Sequence, residues 1–253
     1  MHETIEPAIL YTGTPVVLIS TLNEDGAANL APMSSAWQLG WSCLLGLDAS
    51  SKTLQNLRNT RECVLNFASI DMVEAVDRLA LLTGSRRVPL HKTFLGYRSE
   101  PDKFAAAGLT PQPSILVKPP RVKECKLQME ARVVSIAPFA KGDSRMAIPV
   151  RAVEARILRV HADPCLRVED HPNRIDPDKW RPLMMSFRRF YGLSDGLYPS
   201  RLAEGAEELY APGARGGLRG VASKAIVRTA SARYDVREPP ELAPGPETAG
   251  EDV

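Results

Sequence analysis

The sequence predicts a mainly β protein, an antiparallel and Greek-key-like β-barrel with inserted helices and a C-terminal extension. Three observations lead to this prediction: many short runs rich in β-branched residues, turn residues between those runs, and two long segments that alternate apolar and polar residues. Short strands separated by turn residues are typical of antiparallel barrels. With 253 residues, of which 44% are hydrophobic, the chain can bury a core of that kind.

The first strands are predicted in two pairs. Residues 15–21 (PVVLIST) are β-branched, and the turn NEDG connects them to a second run at 27–32. A turn that ends in Asp-Gly between two such runs predicts a β-hairpin. Residues 33–39 and 42–48, separated by a Gly-Trp step, form the second predicted pair. Alternation also predicts that Trp37, Leu39 and Trp41 share one strand face, a large apolar surface for a single small barrel to bury.

Two helices are predicted after these strands. The segment ASSKTLQNLRNTRE carries Leu54 and Leu57 on one face and begins with serines that can cap a helix. That pattern predicts a short amphipathic helix. A strand follows at 63–69 and a second helix at 71–82, and the loop-rich stretch 85–120 contains one brief helix in PDKFAAAG.

Two long alternating strands, near 121–138 and 150–162, complete a predicted barrel domain at residues 1–165. Residues 166–210 form a C-terminal extension that we expect to pack on the barrel as a strand or a helix. Residues 211–253 become rich in Gly, Ala and Arg and then in Pro and Glu. This composition predicts a tail that is partly disordered.

The composition argues against several classes of function. The 32 Lys and Arg residues nearly balance the 30 Asp and Glu residues, and a net charge of +2 does not suit a nucleic-acid partner. The four cysteines and four histidines are scattered, so no metal site is expected, and His161 is expected to be structural. No G-x-G-x-x-G occurs, and neither Ser34 nor Ser35 lies in the G-x-S-x-G setting of a serine nucleophile. Without a signal-like start or a run of about 20 apolar residues, we expect a cytoplasmic protein with no membrane partner.

The stretch NLAPMSSAW, residues 29–37, is a polar interruption between two runs typical of buried strands. Pro32 lacks an N–H group, so this segment is predicted to be an edge strand or a bulge. Its exposed backbone groups and the hydroxyls of Ser34 and Ser35 would suit a flat polar ring. The alternative is an ordinary edge strand whose proline blocks aggregation, and the pattern alone favours that alternative.

A candidate anion site opens the first helix. The segment DASSKT, residues 48–53, brings hydroxyls, first-turn amides and one lysine to a helix N-terminus, where the macrodipole favours negative charge. Simple N-capping is the alternative interpretation. The run FRRFY, with Arg188 and Arg189, is a third candidate for stacking on a ring or binding phosphate. The alternative there is a partly buried strand with snorkelling arginines.

The motifs are more specific in combination. A hairpin is followed by N-x-A-P-x-S-S, then by S-S-K-T-x-x-N-L on a helix, and then by C-V-L-N-F. D-K-F-A-A-A-G-L-T-P, P-P-R-V and Q-M-E-A-R-V come downstream. This order resembles the flavin reductase-like family with its FMN-binding split barrel. The resemblance runs from about residue 12 to residue 165 and does not cover the last forty or so residues.

The resemblance implies which residues contact a flavin. The polar interruption would run beside the isoalloxazine ring, and the helix start would hold the phosphate. The implied cofactor-binding residues are Asn29, Ala31, Pro32, Met33, Ser34, Ser35, Ser50, Ser51, Lys52, Thr53 and Asn56. Ser34 and Ser35 are the catalytic candidates, because hydroxyls and amides near N5 would stabilise the reduced ring. The implied cofactor is FMN, with FAD as the alternative.

The resemblance also implies an activity and partners. NAD(P)H would donate a hydride to flavin N5 in a homodimer with flavin sites near the subunit interface, and reduced flavin would pass to a partner monooxygenase. Two alternatives stay open: a flavoenzyme that retains FMN and transforms an organic small-molecule substrate, and a non-catalytic FMN-binding protein. The long C-terminal extension and the absence of a histidine motif late in the barrel depart from the family pattern. Both departures leave the hydride donor and the second substrate open.

Overall fold

The fold was analysed in a computed structural model that describes residues 2–146 and 148–204. The chain divides into two compact units, Met1–Leu197 and Tyr198–Val253. Of the second unit the structure describes only residues 198–204, which contain the short 3₁₀-helix Arg201–Glu204. The tail predicted at residues 211–253 lies outside the described residues.

Short strands dominate the described part of the chain, and four α-helices and two further 3₁₀-helices interrupt them. The strands are β1 Thr14–Pro15, β2 Val17–Leu22, β3 Ala28–Met33, β4 Ala36–Leu39, β5 Ser42–Asp48, β6 Glu62–Phe67, β7 Leu82–Thr83, β8 Arg98–Ser99, β9 Pro111–Gln112, β10 Arg121–Val122, β11 Leu127–Phe139, β12 Val150–Ala162, β13 Arg167–Val168, β14 His171–Ile175, β15 Met184–Ser186 and β16 Arg189–Tyr191. The α-helices are α1 Lys52–Thr60, α2 Val73–Arg78, α3 Leu90–Phe94 and α4 Lys103–Ala107, and the 3₁₀-helices are Ile70–Met72 and Pro164–Leu166.

Seven antiparallel strands form the main sheet, in the order β3-β2-β6-β11-β12-β5-β4. The two edge strands, β3 and β4, are consecutive in the chain, and only Ser34 and Ser35 separate them. The sheet must therefore curl until its edges stand side by side, with a seam left between them. This is the predicted mainly β split barrel.

Alternation along β2 directs its side chains into two separate cores. Val17 and Ile19 face the core inside the curled sheet, which also contains Leu54 and Leu57 of α1. Val16 and Leu18 face the opposite side, where they pack with residues of α2 and α4. Because successive side chains of a strand point to opposite faces, one short run of apolar residues supports both cores.

The segment after β14 lies on the barrel. The amide of Val16 donates to the carbonyl of Leu183 (2.8 Å), and the amide of Leu183 donates to the carbonyl of Ala68 (2.9 Å). β15 pairs with β1 and forms a hairpin with β16, so the last three residues of the run FRRFY are strand and none of the run is helix. Phe187 and Arg188 form the hairpin turn with φ values of 43° and 67°.

Three elements differ from the sequence-based expectation. The long strand expected near 121–138 is divided into β10 and β11, because residues 123–126 form a turn between them. The helix expected at 71–82 is shorter, because α2 ends at Arg78 and Leu82 is drawn into β7, which pairs in parallel with β8. Trp41 lies in the turn between β4 and β5 and not on a strand face with Trp37. The turn begins at Gly40, whose φ of 57° is easily adopted by glycine and ends the alternation.

Candidate functional site

The polar interruption predicted to contact a ring begins in β3, which is an edge strand and is called the platform strand below. β3 has a single neighbour in the sheet, β2, and Pro32 lies opposite Leu18 in that pairing. Proline is tolerated there because an edge strand does not need every backbone donor. Ala31, Pro32 and Met33 are all half-buried, so the strand presents backbone and small apolar surface.

The two serines after β3 are in different environments. Ser35 donates its hydroxyl proton to the carbonyl of Gly46 (2.6 Å) and accepts the amide of Gly46 at its own carbonyl (2.8 Å). The half-buried hydroxyl of Ser34 makes no hydrogen bond within the part of the chain that the structure describes. Of the two candidate hydroxyls, the one of Ser34 is therefore the one free to contact a ligand.

The start of α1 has the geometry of an anion site. Ser51 is the N-cap residue, and its hydroxyl oxygen accepts the amide of Leu54 (3.2 Å). The first amides of an α-helix have no intrahelical acceptor, which leaves those of Lys52 and Thr53 directed out of the helix end. A negatively charged group would be stabilised there by these donors and by the helix dipole.

Ser50 is less available than the sequence suggested. Its amide and its hydroxyl both donate to Asp48 Oδ1, at 2.7 Å and 2.9 Å, and Lys92 Nζ lies 2.9 Å from Asp48 Oδ2. Burial raises the pKa of Asp48, but the hydrogen bonds from Ser50 and Lys92 outweigh it and leave the pKa below its usual value. Ser50 thus belongs to a charged network that supports the turn before α1.

A buried polar cluster joins the platform strand to α1. Asn29 Nδ2 donates to Thr21 Oγ1 (3.2 Å) and to Thr53 Oγ1 (3.3 Å). Asn56 Nδ2 donates to the same Thr21 oxygen (3.0 Å). The Asn29–Thr53 hydrogen bond connects the two predicted motifs directly. Within the described residues, the buried Oδ1 atoms of Asn29 and Asn56 have no hydrogen-bond partner, so each can still accept a donor.

Gly84 allows the next loop to pass against this cluster. A Cβ atom at Gly84 would lie only 2.4 Å from Asn29 Oδ1 and 3.3 Å from Lys52 Cγ. No real side chain is accommodated at such a distance, so the close approach requires glycine. The loop that follows, residues 85–87, therefore runs beside the start of α1.

A cleft of about 710 Å³ lies between this loop, the start of α1 and the β2–β3 turn. Its lining includes four cationic side chains and two carboxylates. The cations are Lys52, Arg58, Arg86 and Arg87, and the carboxylates are Glu24 and Asp25. The sequence analysis did not identify the three arginines. The adjacent pair in SRR, residues 85–87, was the available signal, but only the fold shows that this loop returns to α1.

Lys103 is a buried lysine that lies beside the platform strand. Lys103 begins α4, which packs on β3, and only 3% of Lys103 is exposed. Its side chain makes no hydrogen bond or ion pair within the described ranges. Burial lowers the pKa of Lys103 to about 8, the positive charge of Lys92 adds to that effect, and Glu100 opposes it.

The donor set fits a flavin mononucleotide at both of its ends. Lys52, the first amides of α1 and the arginines of the cleft are suited to a phosphate group. The edge of β3 and the free hydroxyl of Ser34 are suited to a polar ring. Among residues 2–146 and 148–204, no three His, Cys, Asp or Glu side chains are grouped to hold a metal ion.

No helix in the described ranges has the length and hydropathy that crossing a membrane requires.

Comparisons with known proteins agree with the fold. A family model described as the flavin reductase like domain matches residues 10–194. The protein YdfE of Bacillus subtilis (strain 168) is 40% identical over 191 residues, which cover 76% of this chain and 89% of YdfE.

Two solved structures are similar in fold at low identity. Flavoredoxin of Desulfovibrio vulgaris (Miyazaki F) superposes with a TM-score of 0.65 at 20% identity, covering 81% of this chain and 100% of its own. Nitrilotriacetate monooxygenase component B from Bacillus cereus superposes with a TM-score of 0.59 at 18% identity, covering 74% and 88% of the two chains. The match of the family model and the identity to YdfE establish that this chain belongs to the flavin reductase-like domain family.

Proposed function

We propose that this protein binds FMN and acts as an NAD(P)H-dependent flavin reductase. Family membership supports a flavin-related oxidoreductase. The observation that carries the finer proposal is the hydrogen bond between Asn29 and Thr53, because it places a free strand edge next to a cationic helix start. A flavin mononucleotide needs both, a surface for its ring and a site for its phosphate.

At the phosphate end, each group of the chain has a distinct role. Lys52 and the amides of Lys52 and Thr53 supply charge-assisted hydrogen bonds to the phosphate oxygens. Ser51 holds the helix end in place by capping Leu54. Arg86 and Arg87 add positive charge from the opposite wall of the cleft. Ser50 supports the site through Asp48 and does not contact the phosphate.

At the ring end, the chain provides a platform and a donor. The backbone of Ala31, Pro32 and Met33 would contact the ring, and the hydroxyl of Ser34 would donate a hydrogen bond to it. Ser35 holds this link in position through Gly46, and its backbone amide is the second catalytic candidate. The buried Asn29 and Asn56 fix the strand against α1.

The flavin, when bound, supplies the hydride-accepting atom N5, and reduction adds negative charge to the ring. The protein needs no acid–base pair for this step. Ser34 and the amides around it stabilise the added charge because their dipoles are already oriented before reduction. The chain also has to hold the ring so that a nicotinamide can stack on its open face.

The partners follow from the same site. We infer a homodimer, because Trp37 and Leu39 on the edge strand β4 are 59% and 69% exposed next to the seam. A two-fold interface is the usual way to cover such an apolar strand face. Reduced flavin would pass to a partner monooxygenase, in line with the name of the Bacillus cereus component B structure.

Binding measurements on Lys52 variants test the phosphate assignment. Lys52→Ala should weaken FMN binding by about 1.5–3 kcal/mol, which corresponds to about 10-fold to 150-fold in Kd. Binding of riboflavin, which lacks the phosphate, should change little. Lys141→Ala, at an exposed position of the β11–β12 loop, is the matched control and should bind FMN like the wild type.

Two results would contradict the proposed function. One is FMN affinity that is unchanged in Lys52→Ala. The other is tight flavin that neither NADH nor NADPH reduces, which would favour a flavoenzyme with retained FMN or a non-catalytic FMN-binding protein. Adding candidate organic substrates to chemically reduced protein then separates those two alternatives.

A further inference from the structure

The turn between β2 and β3 is fastened to the first helix. Within the turn, the amide of Gly26 donates to the carbonyl of Asn23 (3.0 Å). Asn56 Nδ2, on α1, donates to Asn23 Oδ1 (2.9 Å), and Asn59 Nδ2 lies 3.5 Å from Glu24 Oε1. These contacts hold the carboxylate of Glu24 over the cleft.

Glu24 pairs with the lysine that we assign to the phosphate. Lys52 Nζ donates to Glu24 Oε2 and also to Gln55 Oε1 (3.3 Å). The Lys52 side chain is only 11% exposed, whereas that of Glu24 is 55% exposed. The hydrogen bond from Lys52 lowers the pKa of Glu24, so the carboxylate is ionised at neutral pH.

The same pattern recurs one residue later. Arg86 Nη2 lies 3.5 Å from Asp25 Oδ2, with side-chain exposures of 92% and 54%. Both acidic residues of the turn therefore engage cations that line the cleft. The Asp25 pair is longer and more exposed than the Glu24 pair, so solvent and salt screen it more strongly.

A phosphate and the Glu24 carboxylate compete for the same ammonium group. Both are anions, and two like charges close to one lysine repel each other. If the phosphate binds Lys52, Glu24 must rotate away into solvent, which its exposure on a turn permits. Breaking the Lys52–Glu24 ion pair then costs free energy, and flavin binding is weaker by that amount.

We propose that Glu24 is a specificity-determining residue that weakens flavin phosphate binding and thereby makes the flavin exchangeable. The carboxylate pairs with Lys52 and must release it when a phosphomonoester enters the cleft. This inference rests on the proposed function and deepens it. A reductase that hands reduced flavin to another protein needs a flavin that leaves, whereas an enzyme that retains its flavin does not.

The test uses the full-length protein and the variant Glu24→Gln, which preserves the shape of the side chain and removes its charge. The Kd for FMN is measured by quenching of flavin fluorescence, and the rate of FMN release by rapid mixing with an excess of a flavin-binding competitor. Glu24→Gln should bind FMN about 2-fold to 10-fold more tightly, with release slowed by a similar factor. Riboflavin binding should stay the same, because riboflavin has no phosphate.

Asp25→Asn is the matched control, since it removes one charge from the same turn without touching Lys52. Its effect on FMN binding should be smaller than that of Glu24→Gln. Raising the ionic strength should reduce the difference between Glu24→Gln and the wild type, because the competition is electrostatic. Glu24 is exposed on a turn, so neither substitution should prevent folding.

Three results would overturn the inference. Unchanged or weaker FMN binding by Glu24→Gln would show that Glu24 orients Lys52 instead of competing for it. Equal tightening for FMN and riboflavin would show that the effect does not arise at the phosphate. An equal effect of Asp25→Asn would show a general charge effect. Failure of the proposed function has a different signature, since the wild type itself would then either not bind FMN or hold FMN that neither NADH nor NADPH reduces.

Discussion

Ser35 and Gly46 exchange two hydrogen bonds beside the seam of the barrel, where they continue the β4–β5 pairing by one residue. The hydroxyl of Ser35 donates to the carbonyl of Gly46 (2.6 Å), and the amide of Gly46 donates to the carbonyl of Ser35 (2.8 Å). A Cβ atom at Gly46 would lie 3.2 Å from Ser35 Cβ, a tight contact that glycine avoids. This pair attaches the two-residue link between β3 and β4 to β5.

The two serines should therefore respond differently to substitution. Ser35→Ala should lower the free energy of unfolding by about 1 kcal/mol, because a half-buried hydrogen bond is lost. Ser34→Ala should change stability by less than about 0.5 kcal/mol but slow flavin reduction by about tenfold or more. Urea unfolding and single-turnover reduction measure the two effects. The reverse pattern would show that the assignment of the serines is wrong.

Lys103 predicts a dependence of stability on pH. Because its pKa falls from 10.5 to about 8 on folding, the unfolded chain binds the proton more tightly. The resulting penalty is complete below the folded pKa of about 8 and is relieved as the pH rises towards 10.5. Lys103→Met should raise the free energy of unfolding at neutral pH by up to about 3 kcal/mol.

The advantage of Lys103→Met should shrink between about pH 8 and about pH 10, which urea unfolding of both proteins across that range can show. Lys123→Met is the control for removing a surface lysine, since Lys123 is exposed. A constant difference between Lys103→Met and the wild type at all pH values would contradict the interpretation.

Glu130 predicts the opposite behaviour in acid. Its fully buried carboxylate accepts the amides of Ile115 (2.9 Å), Leu116 (2.5 Å) and Val117 (3.1 Å) and contacts His161 Nε2 at 2.6 Å. Burial raises the pKa of Glu130, but these hydrogen bonds outweigh it and leave the pKa below 4.5. The stabilisation is present above the unfolded pKa of 4.5 and is lost as the pH falls through the lower folded value.

Glu130→Gln should lower the free energy of unfolding at neutral pH by about 2–4 kcal/mol, because one amide donor of the new side chain faces backbone donors. The variant should also lose less stability than the wild type when the solution is acidified below about pH 4.5. Thermal unfolding from neutral to acidic pH measures both effects. If Glu130→Gln had the same stability as the wild type at neutral pH and the same loss of stability in acid, this cluster would not anchor residues 115–117.

The exposed face of β4 predicts the assembly. Trp37 pairs with Leu44 across the β4–β5 hairpin, and these residues are 59% and 41% exposed, with Leu39 beside them at 69%. Replacing Trp37 and Leu39 by Ser should shift the protein from dimer to monomer and weaken flavin binding. Sedimentation at micromolar concentration measures the shift. A wild type that sediments as a flavin-loaded monomer would contradict the homodimer.

Local patterns predicted the parts of the fold that depend on neighbouring residues. The hairpin at 15–32 followed from an Asp-Gly turn, and the strand at 150–162 was predicted with its exact bounds from alternation. Residue type limited the helix cap to Ser50 or Ser51, and the structure has Ser51 in that position. Each of these features depends on residues a few positions apart.

Other parts of the site depend on contacts between distant segments. Arg86 reaches the cleft because Gly84 can pass close to Asn29. Gly84 and Asn29 lie 55 positions apart in the chain. The ion pair between Glu24 and Lys52 likewise depends on how the β2–β3 turn lies over α1. The spacing of residues in the sequence does not reveal contacts of this kind. The length of the helix expected at 71–82 was wrong for the same reason, because β7 pairs with β8, about 16 positions further along the chain.

Anaerobic reduction of FMN tests the central claim most directly. Purified protein in catalytic amount is mixed with excess FMN, and the flavin absorption is followed after adding NADH and, separately, NADPH. The account predicts that at least one nucleotide bleaches the whole flavin pool, and that Lys52→Ala does so with a raised KM for FMN and an unchanged KM for riboflavin. Flavin that binds but keeps its oxidised spectrum with both nucleotides would contradict the account.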